Sequence, residues 1–232
     1  MKRAIVLCSG GIDSVTTAFY VKKKRKYNKV IILFFNYGQK SLVMERKFSR
    51  KCSQNLKAEF IEAKLDFLKK ISTSSTKLIN KNDNMNMLNS NNLRYTKKES
   101  QSFYVPLRNT IFITHAMALA ESIFIKNKEK YDIFLGFKNE GKESYPDTTH
   151  EFVSQMNRLS RTVSGGIKIK APLIKKDKED IVLIGKKLRV DFRKTFSCYV
   201  SSGKHCGRCL ACALRKYGFY WANIEDPTSY CG

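Results

Sequence analysis

Two short runs of apolar residues near the start of the chain restrict the fold more than any other feature. AIVLC spans Ala4 to Cys8, and VIILFFNY spans Val30 to Tyr37. Runs without alternating polar residues are typical of parallel strands that helices cover on both faces. A helical stretch around Leu42 to Leu56 and the strand EFIEAKL follow. The chain therefore opens as β, α, β, α, β, with spacings suited to right-handed crossovers.

The remainder of the chain continues this alternation. It predicts a helix from about 109 to 126, the strand DIFLGF, a helix from about 148 to 160, the strand IKIKAPL and a helix opened by Asp177. The segment from about 72 to 102 is Asn-rich and without periodicity, so we expect a long surface insertion there. The predicted fold class is α/β, a doubly wound and mainly parallel five-stranded sheet. Its ligands are expected beyond the carboxyl ends of the strands.

The sequence CSGGIDS separates the first strand from the first helix. Gly10 and Gly11 allow backbone N–H groups to approach phosphate oxygens, and Ser9 and Ser14 add hydroxyl donors at the positive end of the helix. A carboxylate beside phosphates is explained if Asp13 caps the helix or helps to hold the Mg²⁺ that accompanies ATP. Either Asp13 or Ser14 is the expected N-cap of the helix. The stretch matches neither GxxxxGK[ST] nor GxGxxG. It predicts an anion site, the alternative being a glycine-rich turn that only begins a helix.

Charge and cysteine content narrow the class of protein. In 232 residues, 44 Lys and Arg stand against 20 Asp and Glu, a net charge of +24 that attracts nucleotides, carboxylates or RNA. No apolar run approaches the roughly 20 residues of a membrane span, and no secretory segment is visible. A cytoplasmic protein without a membrane partner is therefore expected. Four of the seven cysteines crowd into the C-terminal third, which in a reducing compartment favours a metal over disulfides.

The C-terminal cysteines have the spacing C-x7-C-x2-C-x2-C. Four thiolates complete a tetrahedral shell around Zn²⁺ and leave no position for a reacting water, so the expected metal is one structural Zn²⁺ in a small helical subdomain. Free buried thiols, a disulfide, an iron–sulfur cluster and replacement of one thiolate by His205 are the alternatives. Cys8, Cys52 and Cys231 are interpreted as apolar fillers or exposed thiols. The predicted zinc ligands are Cys198, Cys206, Cys209 and Cys212.

The loop SGGIDS resembles the PP-loop of the N-type ATP pyrophosphatase superfamily, whose fold is adenine nucleotide alpha hydrolase-like. Further stretches, in the same order along most of the chain, resemble the 7-cyano-7-deazaguanine synthase family: FNYGQ, YVPLRN, YPDTTHEF, APL, KEDIV, TFSCY and CGRCLAC. Two departures affect expected contacts to the base. The family often carries Cys-Arg at Thr148 and Thr149, and a residue smaller than Leu107.

The resemblance implies a ligase that converts 7-carboxy-7-deazaguanine and ammonia to the nitrile, using ATP with Mg²⁺. It implies an ATP-binding domain over 1–190 and a zinc-binding segment over 191–232. Asp13 and Arg108 are the expected catalytic residues, and Asn36 and Tyr37 are expected near the adenine. The full set of expected nucleotide-binding residues is Cys8, Ser9, Gly10, Gly11, Ile12, Asp13, Ser14, Val15, Thr16, Thr17, Ala18, Asn36 and Tyr37.

The roles of individual residues in substrate binding are hypotheses based on side-chain chemistry. The planar fork of Arg108 suits the substrate carboxylate or a phosphate, with a surface ion pair as the alternative. Asp147 is a candidate acceptor for the N–H edge of a guanine-like base, with an N-cap as the alternative. Lys178 is a candidate for binding phosphate, with a solvated lysine at a helix start as the alternative. The expected substrate-binding set is Tyr104, Arg108, Asn109, Tyr145, Asp147 and Phe152, in which the aromatic rings are stacking surfaces.

The sequence also leads to expectations about partners and leaves two alternative functions open. No glutaminase segment is visible, so free ammonium or an ammonia-supplying partner is expected, together with a homodimer and no direct need for nucleic acid. One alternative is another PP-loop enzyme that acts on tRNA, of the thiolase or lysidine synthetase type. Another is a non-catalytic nucleic-acid-binding module with a zinc knuckle.

Overall fold

The computed structural model describes residues 1–72, 75–79, 101–139, 145–200 and 203–231. Five strands form one sheet in the order β3-β2-β1-β4-β5, and every neighbouring pair is parallel. This confirms the predicted doubly wound α/β class. The strands are β1 (Arg3–Leu7), β2 (Lys29–Asn36), β3 (Glu59–Lys64), β4 (Asp132–Phe134) and β5 (Ile169–Lys170).

Seven α-helices connect or follow these strands in the described ranges. Helix α2 has the predicted bounds, and α4 begins and ends one residue outside them. The strands predicted from DIFLGF and IKIKAPL are shorter than expected. β5 pairs with β4 alone and Pro172 follows closely, so its ladder ends early. The helices are α1 (Ile12–Phe19), α2 (Leu42–Leu56), α3 (Asp66–Ser72), α4 (Arg108–Asn127), α5 (His150–Val163), α6 (Lys178–Lys187) and α7 (Leu210–Trp221).

Each central strand is buried on both faces. Ile5, Ile31 and Ile133 belong to one core cluster with residues of α3, α4 and α5. Ala4 and Val6 belong to a second cluster, on the opposite face, with residues of α1, α2, α6 and α7. Side chains alternate between the faces of a strand, so a strand covered on both faces has no solvent-facing position for a polar residue. This explains the unbroken apolar runs of the sequence.

Two predicted helix starts are wrong. Helix α1 begins at Ile12 with Gly11 as its N-cap, not Asp13 or Ser14, because the backbone turns at Gly10 (φ +80°) and leaves Gly11 as the last extended residue. Before α5, a 3₁₀ turn at Pro146–Thr148 delays the helix to His150. The Oγ1 atom of Thr149 caps that helix by accepting from the amide of Phe152, so Asp147 is not its N-cap.

The predicted insertion over 72–102 lies mostly outside the described residues. Its described part departs from the expectation of a surface segment, because Leu78 and Ile79 are buried in the first core cluster. Backbone hydrogen bonds hold this part in place: Lys40 N–H donates to the Leu78 carbonyl, and Lys77 N–H donates to the Ser102 carbonyl. Propensity alone did not reveal these long-range partners.

The C-terminal segment packs directly on the rest of the chain. Phe192 and Phe219 lie in the second core cluster, and their rings meet edge to face with centroids 5.1 Å apart. The division at residue 190 stays a prediction. Cys8 and Cys52 are buried in this same cluster while Cys231 is exposed. Across the described ranges, no helix has the length and apolarity needed to cross a membrane.

Candidate active site

The carboxyl ends of β1, β2 and β4 meet at one edge of the sheet, and β1 lies between the other two. The chain leaves β1 toward β2 on one side and reaches β4 on the other side. This is the switch point at which doubly wound sheets bind their ligands. The loop CSGGIDS, defined here as residues 8–14, lies at that point.

The loop holds its shape with its own hydrogen bonds. Ser9 N–H donates to Ser14 Oγ at 3.2 Å, and Ser14 Oγ–H donates to the Gly11 carbonyl at 3.2 Å. A Cβ on Gly10 would lie 2.9 Å from the Glu45 carbonyl oxygen, so the close packing and the positive φ both require glycine. The amides of such a turn and the start of α1 form a concave site for an anion, which fits the phosphates of ATP.

An inner cavity of about 250 Å³ opens beside the loop, at the ends of β1, β2 and β4. Its walls are mainly apolar, with Arg108, Asn109, Tyr37 and Glu45 among the few polar groups. Apolar walls with a small number of convergent polar groups are typical of small-molecule sites. From the loop, Cys8, Ser9 and Ser14 line this cavity.

An outer cavity of about 170 Å³ lies on the other side of the loop. Lys178 Nζ donates to both carboxylate oxygens of Asp13, each at 2.7 Å, and Lys138 also lines the wall. The outer cavity is therefore the more charged of the two. Three residues line both cavities: Ser9, Glu45 and Tyr199.

Arg108 is the first residue of α4 and is half-buried. Its Nη1 donates to the Tyr37 hydroxyl at 3.4 Å, and its Cζ lies 5.8 Å from the centre of that ring. Burial raises the pKa of Tyr37 to about 12, so the phenol stays protonated at neutral pH. Arg108 lines the inner cavity, and within the described residues no carboxylate lies within ion-pair distance of it.

The other expected substrate residues divide between the cavities and the surrounding structure. Asn109 lines the inner cavity and Tyr145 the outer one. Asp147 is buried, and its Oδ2 and carbonyl oxygen accept from Asn109 at 3.4 and 3.2 Å, so it joins α4 to the 3₁₀ turn. Tyr104 stacks on Tyr145 with centroids 6.0 Å apart. Tyr104, Asp147 and Phe152 line neither cavity.

The expected nucleotide-binding residues also divide. Gly11, Ile12 and Asp13 line the outer cavity. Asn36 ends β2 and accepts from the Gly38 amide, which shapes the turn before Gln39. The second turn of α1 is buried in the protein, and none of its residues lines either cavity: Val15, Thr16, Thr17 and Ala18.

The departures from the family pattern have local structural roles. Thr148 Oγ1 donates to the Tyr145 carbonyl at 3.0 Å, and Thr149 caps α5. Neither threonine lines a cavity. Leu107 adopts the left-handed conformation at the N-cap of α4 (φ +53°), and its side chain is exposed. These three positions therefore belong to the backbone that holds Tyr145 and Arg108.

Sequence reasoning missed Glu45 and Tyr199. Glu45, in the first turn of α2, accepts from Ser41 Oγ at 2.5 Å and from Gln39 Nε2 at 2.9 Å. Burial raises its pKa above the usual range for a glutamate. Tyr199 directly follows Cys198 of the candidate metal site. The available signals were the proximity of Glu45 to the FNYGQ motif and the membership of Tyr199 in TFSCY.

The four cysteines converge on one point. All four Sγ atoms lie within 4.8 Å of one another, and the Cys206–Cys212 and Cys209–Cys198 pairs are each 3.9 Å apart. Zn–S bonds of about 2.3 Å in a tetrahedron require S–S edges of about 3.8 Å, so the set fits Zn²⁺. The amides of Cys206 and Cys209 donate to Sγ atoms of the cluster, which would orient and stabilise thiolates.

His205 lies beside the cluster and outside the ligand set. Its Nε2 accepts from the Ser197 amide at 3.0 Å, and its ring packs against Phe196 with centroids 4.6 Å apart. A nitrogen that accepts an amide hydrogen bond has no lone pair left for a metal. Four sulfur atoms therefore form the candidate metal site.

The cysteine segment also forms part of the wall around the loop. Phe196 N–H donates to the Gly10 carbonyl at 2.9 Å, and Phe196 stacks on Phe48 of α2. Arg215 of α7 is fully buried and donates to the Phe192 carbonyl and to the Thr195 hydroxyl. This arginine fixes the stretch that contacts Gly10, so the cluster and the loop are mechanically connected.

A parallel sheet, a serine and glycine loop at its switch point and a four-cysteine site against that loop together define an enzyme of the PP-loop class. The family model described as "Queuosine biosynthesis protein QueC" matches residues 3–223, and the chain belongs to this family. The resemblance found in the motifs is thereby confirmed.

Curated relatives align over almost the whole chain. The protein from Nitratiruptor sp. is 36% identical over 236 residues, covering 98% of each chain. The protein from Methanosphaera stadtmanae is 36% identical over 233 residues, again covering 98% of each. The protein from Methanocaldococcus jannaschii is 36% identical over 241 residues, covering 98% of this chain and 99% of its own. All three carry the name 7-cyano-7-deazaguanine synthase.

Proposed function

We propose that this protein synthesises 7-cyano-7-deazaguanine from 7-carboxy-7-deazaguanine, ammonia and ATP, as a ligase that forms C–N bonds. Its membership of the QueC family and the names of its relatives support this activity. The observation that carries the proposal is that the loop of residues 8–14, through Cys8, Ser9 and Ser14, lines the same inner cavity as the Arg108 guanidinium. A phosphate site and a carboxylate-binding group then face the same space.

The reaction needs charge stabilisation more than a covalent nucleophile. A carboxylate is a poor electrophile, and ATP supplies the means to turn each of its oxygens into a leaving group. Attack by ammonia gives the amide, and loss of the second oxygen gives the nitrile. In this scheme the loop amides and the N-terminus of α1 stabilise phosphate charge, and Arg108 binds the carboxylate or a phosphate from the inner cavity.

Asp13 and Lys178 serve the phosphates from the outer side of the loop. A carboxylate at this position suits Mg²⁺, which is usually held by one or two carboxylates together with phosphate oxygens. Lys178, freed from part of its pairing with Asp13, provides a positive charge for the leaving phosphates. The reacting carboxylate would therefore lie at the loop, where the two cavities adjoin.

The proposed function also includes a structural metal and small-molecule substrates. One Zn²⁺ bound by the four cysteines would be structural, because the thiolate shell is closed. The substrates are small molecules, consistent with cavities of about 250 and 170 Å³. The homodimer, the ammonia-supplying partner and the cytoplasmic location stay predictions.

The experiment is to incubate the purified protein with 7-carboxy-7-deazaguanine, ATP, Mg²⁺ and ammonium, and to follow base and nucleotide by mass spectrometry. We expect the nitrile to appear with matching ATP consumption. Arg108→Lys, which keeps the charge and loses the fork, should lower kcat/KM by about a hundredfold. Arg161→Lys, on an exposed part of α5, is the matched control. A folded, ATP-binding and zinc-loaded protein that returns the base unchanged would refute the proposal.

A further inference from the structure

Glu45 holds a position that no other acidic residue of the described chain shares. It lines the inner cavity together with Arg108 and Tyr37, and it lines the outer cavity together with Asp13. Its backbone carbonyl lies against Gly10 of the loop. A carboxylate at this boundary is next to the place where the proposed function requires the substrate carboxylate to be activated.

The hydrogen bonds of Glu45 leave its charge without a counter-ion. Both partners, the Ser41 hydroxyl and the Gln39 amide, are neutral donors. Within the described residues no Lys, Arg or His nitrogen lies within ion-pair distance of Glu45, whereas Glu62 nearby is held by Arg46 at 2.7 Å. A half-buried carboxylate without a cation favours taking up either a proton or a small cation.

Several other ionisable groups surround Glu45. Tyr37, which directly follows β2, and Arg108 of α4 lie on the inner side, and Tyr199 borders both cavities. Arg108 lowers the pKa of Glu45, yet the larger effect of burial raises it. The remaining groups, on the outer side, are Asp13, Lys138, Tyr145 and Lys178. An ammonium ion beside Glu45 would supply the counter-ion that the protein does not.

We propose that Glu45 binds the ammonium ion and accepts its proton in the amide-forming step. This inference rests on the proposed function. At neutral pH ammonia is almost entirely ammonium, which has no lone pair, so the enzyme needs a base within reach of the activated carboxyl group. Glu45 is a carboxylate of the described chain that reaches both cavities and has no charged partner.

The amide-forming step conserves atoms and electrons. Ammonium transfers one proton to the Glu45 carboxylate, and the nitrogen lone pair forms a bond to the activated carbonyl carbon. The bond from that carbon to the activated oxygen breaks, and the nucleotide or phosphate leaving group takes the electron pair. The nitrogen then loses a second proton to solvent, which leaves the neutral amide. Glu45 returns its proton to solvent before the next turnover.

A purely structural role is the competing explanation. Gln39, which donates to Glu45, also donates to the Phe35 carbonyl and accepts from the Tyr37 amide. Loss of Glu45 could therefore loosen the turn that carries Tyr37. Such loosening would lower the reaction rate with every nucleophile and would weaken ATP binding to the same extent. Loss of a base would lower the rate only with a nucleophile that is protonated.

The test compares two nucleophiles on two variants. Glu45→Gln keeps the shape of the side chain and loses its charge, and Glu62→Gln is the matched control because Glu62 lines neither cavity. The reactions are run with ammonium and with hydroxylamine, which is largely unprotonated at neutral pH and gives a hydroxamate that iron(III) colours. ATP binding is measured by calorimetry on the same proteins.

We expect Glu45→Gln to lower ammonium-dependent turnover by about a hundredfold. Its hydroxylamine reaction and its affinity for ATP should stay within about threefold of the unmodified protein. Equal losses with both nucleophiles, or a matching loss of ATP affinity, would overturn the inference and make Glu45 a structural residue. If the unmodified protein uses neither nucleophile, the proposed function itself has failed, which is a different result.

Discussion

The loop and the cysteine cluster are suited to ligands of opposite charge, an anion at the loop and a cation at the cluster. The loop of residues 8–14 is held by its own hydrogen bonds, so it is folded before an anion binds. The cluster brings four sulfur atoms within 4.8 Å of one another and needs a cation to be stable as thiolates. On the proposed function, ligand binding at the loop would supply chemistry, whereas a metal bound by the cluster would supply folding energy. The contact of Phe196 with Gly10 joins the two regions.

The largest expected effect comes from breaking the cluster. Cys209→Ser should abolish stoichiometric zinc and lower the free energy of unfolding by about 5 kcal/mol, since the binding energy of a metal held by the four cysteines would contribute to folding. The measurement combines metal analysis with denaturant titration, and chelator treatment of the unmodified protein repeats it if the variant fails to fold. Cys231→Ser, at an exposed position outside the cluster, is the control. A Cys209→Ser protein of unchanged stability would show that the metal is dispensable.

Next in size is the connection between the two regions. Arg215→Met removes a fully buried cation and the hydrogen bonds that it donates to Asp226, to the Thr195 hydroxyl and to the Phe192 carbonyl. We expect a loss of about 3–5 kcal/mol in the free energy of unfolding and weaker ATP binding, with zinc still bound. The neighbouring exposed Lys216, changed to Met, should have little effect. Unchanged ATP affinity in a destabilised Arg215→Met protein would mean that the two regions act independently.

Altering the loop should give a smaller and more selective effect. Gly10→Ala forces a side chain into the left-handed conformation and against the Glu45 carbonyl, at a cost of about 1–3 kcal/mol. ATP affinity should fall by about tenfold or more in calorimetry, equivalent to about 1.4 kcal/mol. Zinc content should be unchanged. Gly203→Ala, where an added Cβ meets nothing within 4 Å, is the control, and equal ATP affinities for the two variants would contradict this account.

The smallest effect is expected from breaking the ion pair between Arg46 and Glu62, which belongs to neither the loop nor the cluster. The hydrogen bonds from Arg46 lower the pKa of Glu62 below the usual value for a glutamate. The pair therefore stabilises the fold when the pH is above that usual pKa, and the stabilisation is lost as the pH falls through the lowered pKa. Glu62→Gln should therefore cost about 1 kcal/mol at pH 7, and the difference should shrink below about pH 4. Denaturant titrations at both pH values measure it. A difference that grew on acidification would reverse the assigned sign.

Much of the fold followed from local sequence because its signals are local. The apolar runs fixed the buried strands, and the bounds of α2 followed from its periodicity. The four-cysteine set followed from spacing, since cysteines separated by short loops can reach a common metal without help from distant segments. These features need no information about distant partners.

What could not be predicted depends on contacts between distant segments. Leu78 and Ile79 look like part of a polar loop, yet the first core cluster buries them. Tyr104 and Phe152 belong to family-like motifs, yet they support the walls and do not line a cavity. Glu45 resembles an ordinary first-turn glutamate until the loop is packed against it.

The most direct test of the central claim follows the two oxygens of the substrate carboxylate. The protein is supplied with 7-carboxy-7-deazaguanine that carries heavy oxygen at both carboxylate positions, with ATP, Mg²⁺ and ammonium, and the products are weighed by mass spectrometry. Activation at the loop predicts that both heavy oxygens leave the base on AMP or on phosphate, and that the nitrile forms in step. Heavy oxygen recovered only in water, or a base that keeps its label, would contradict the account.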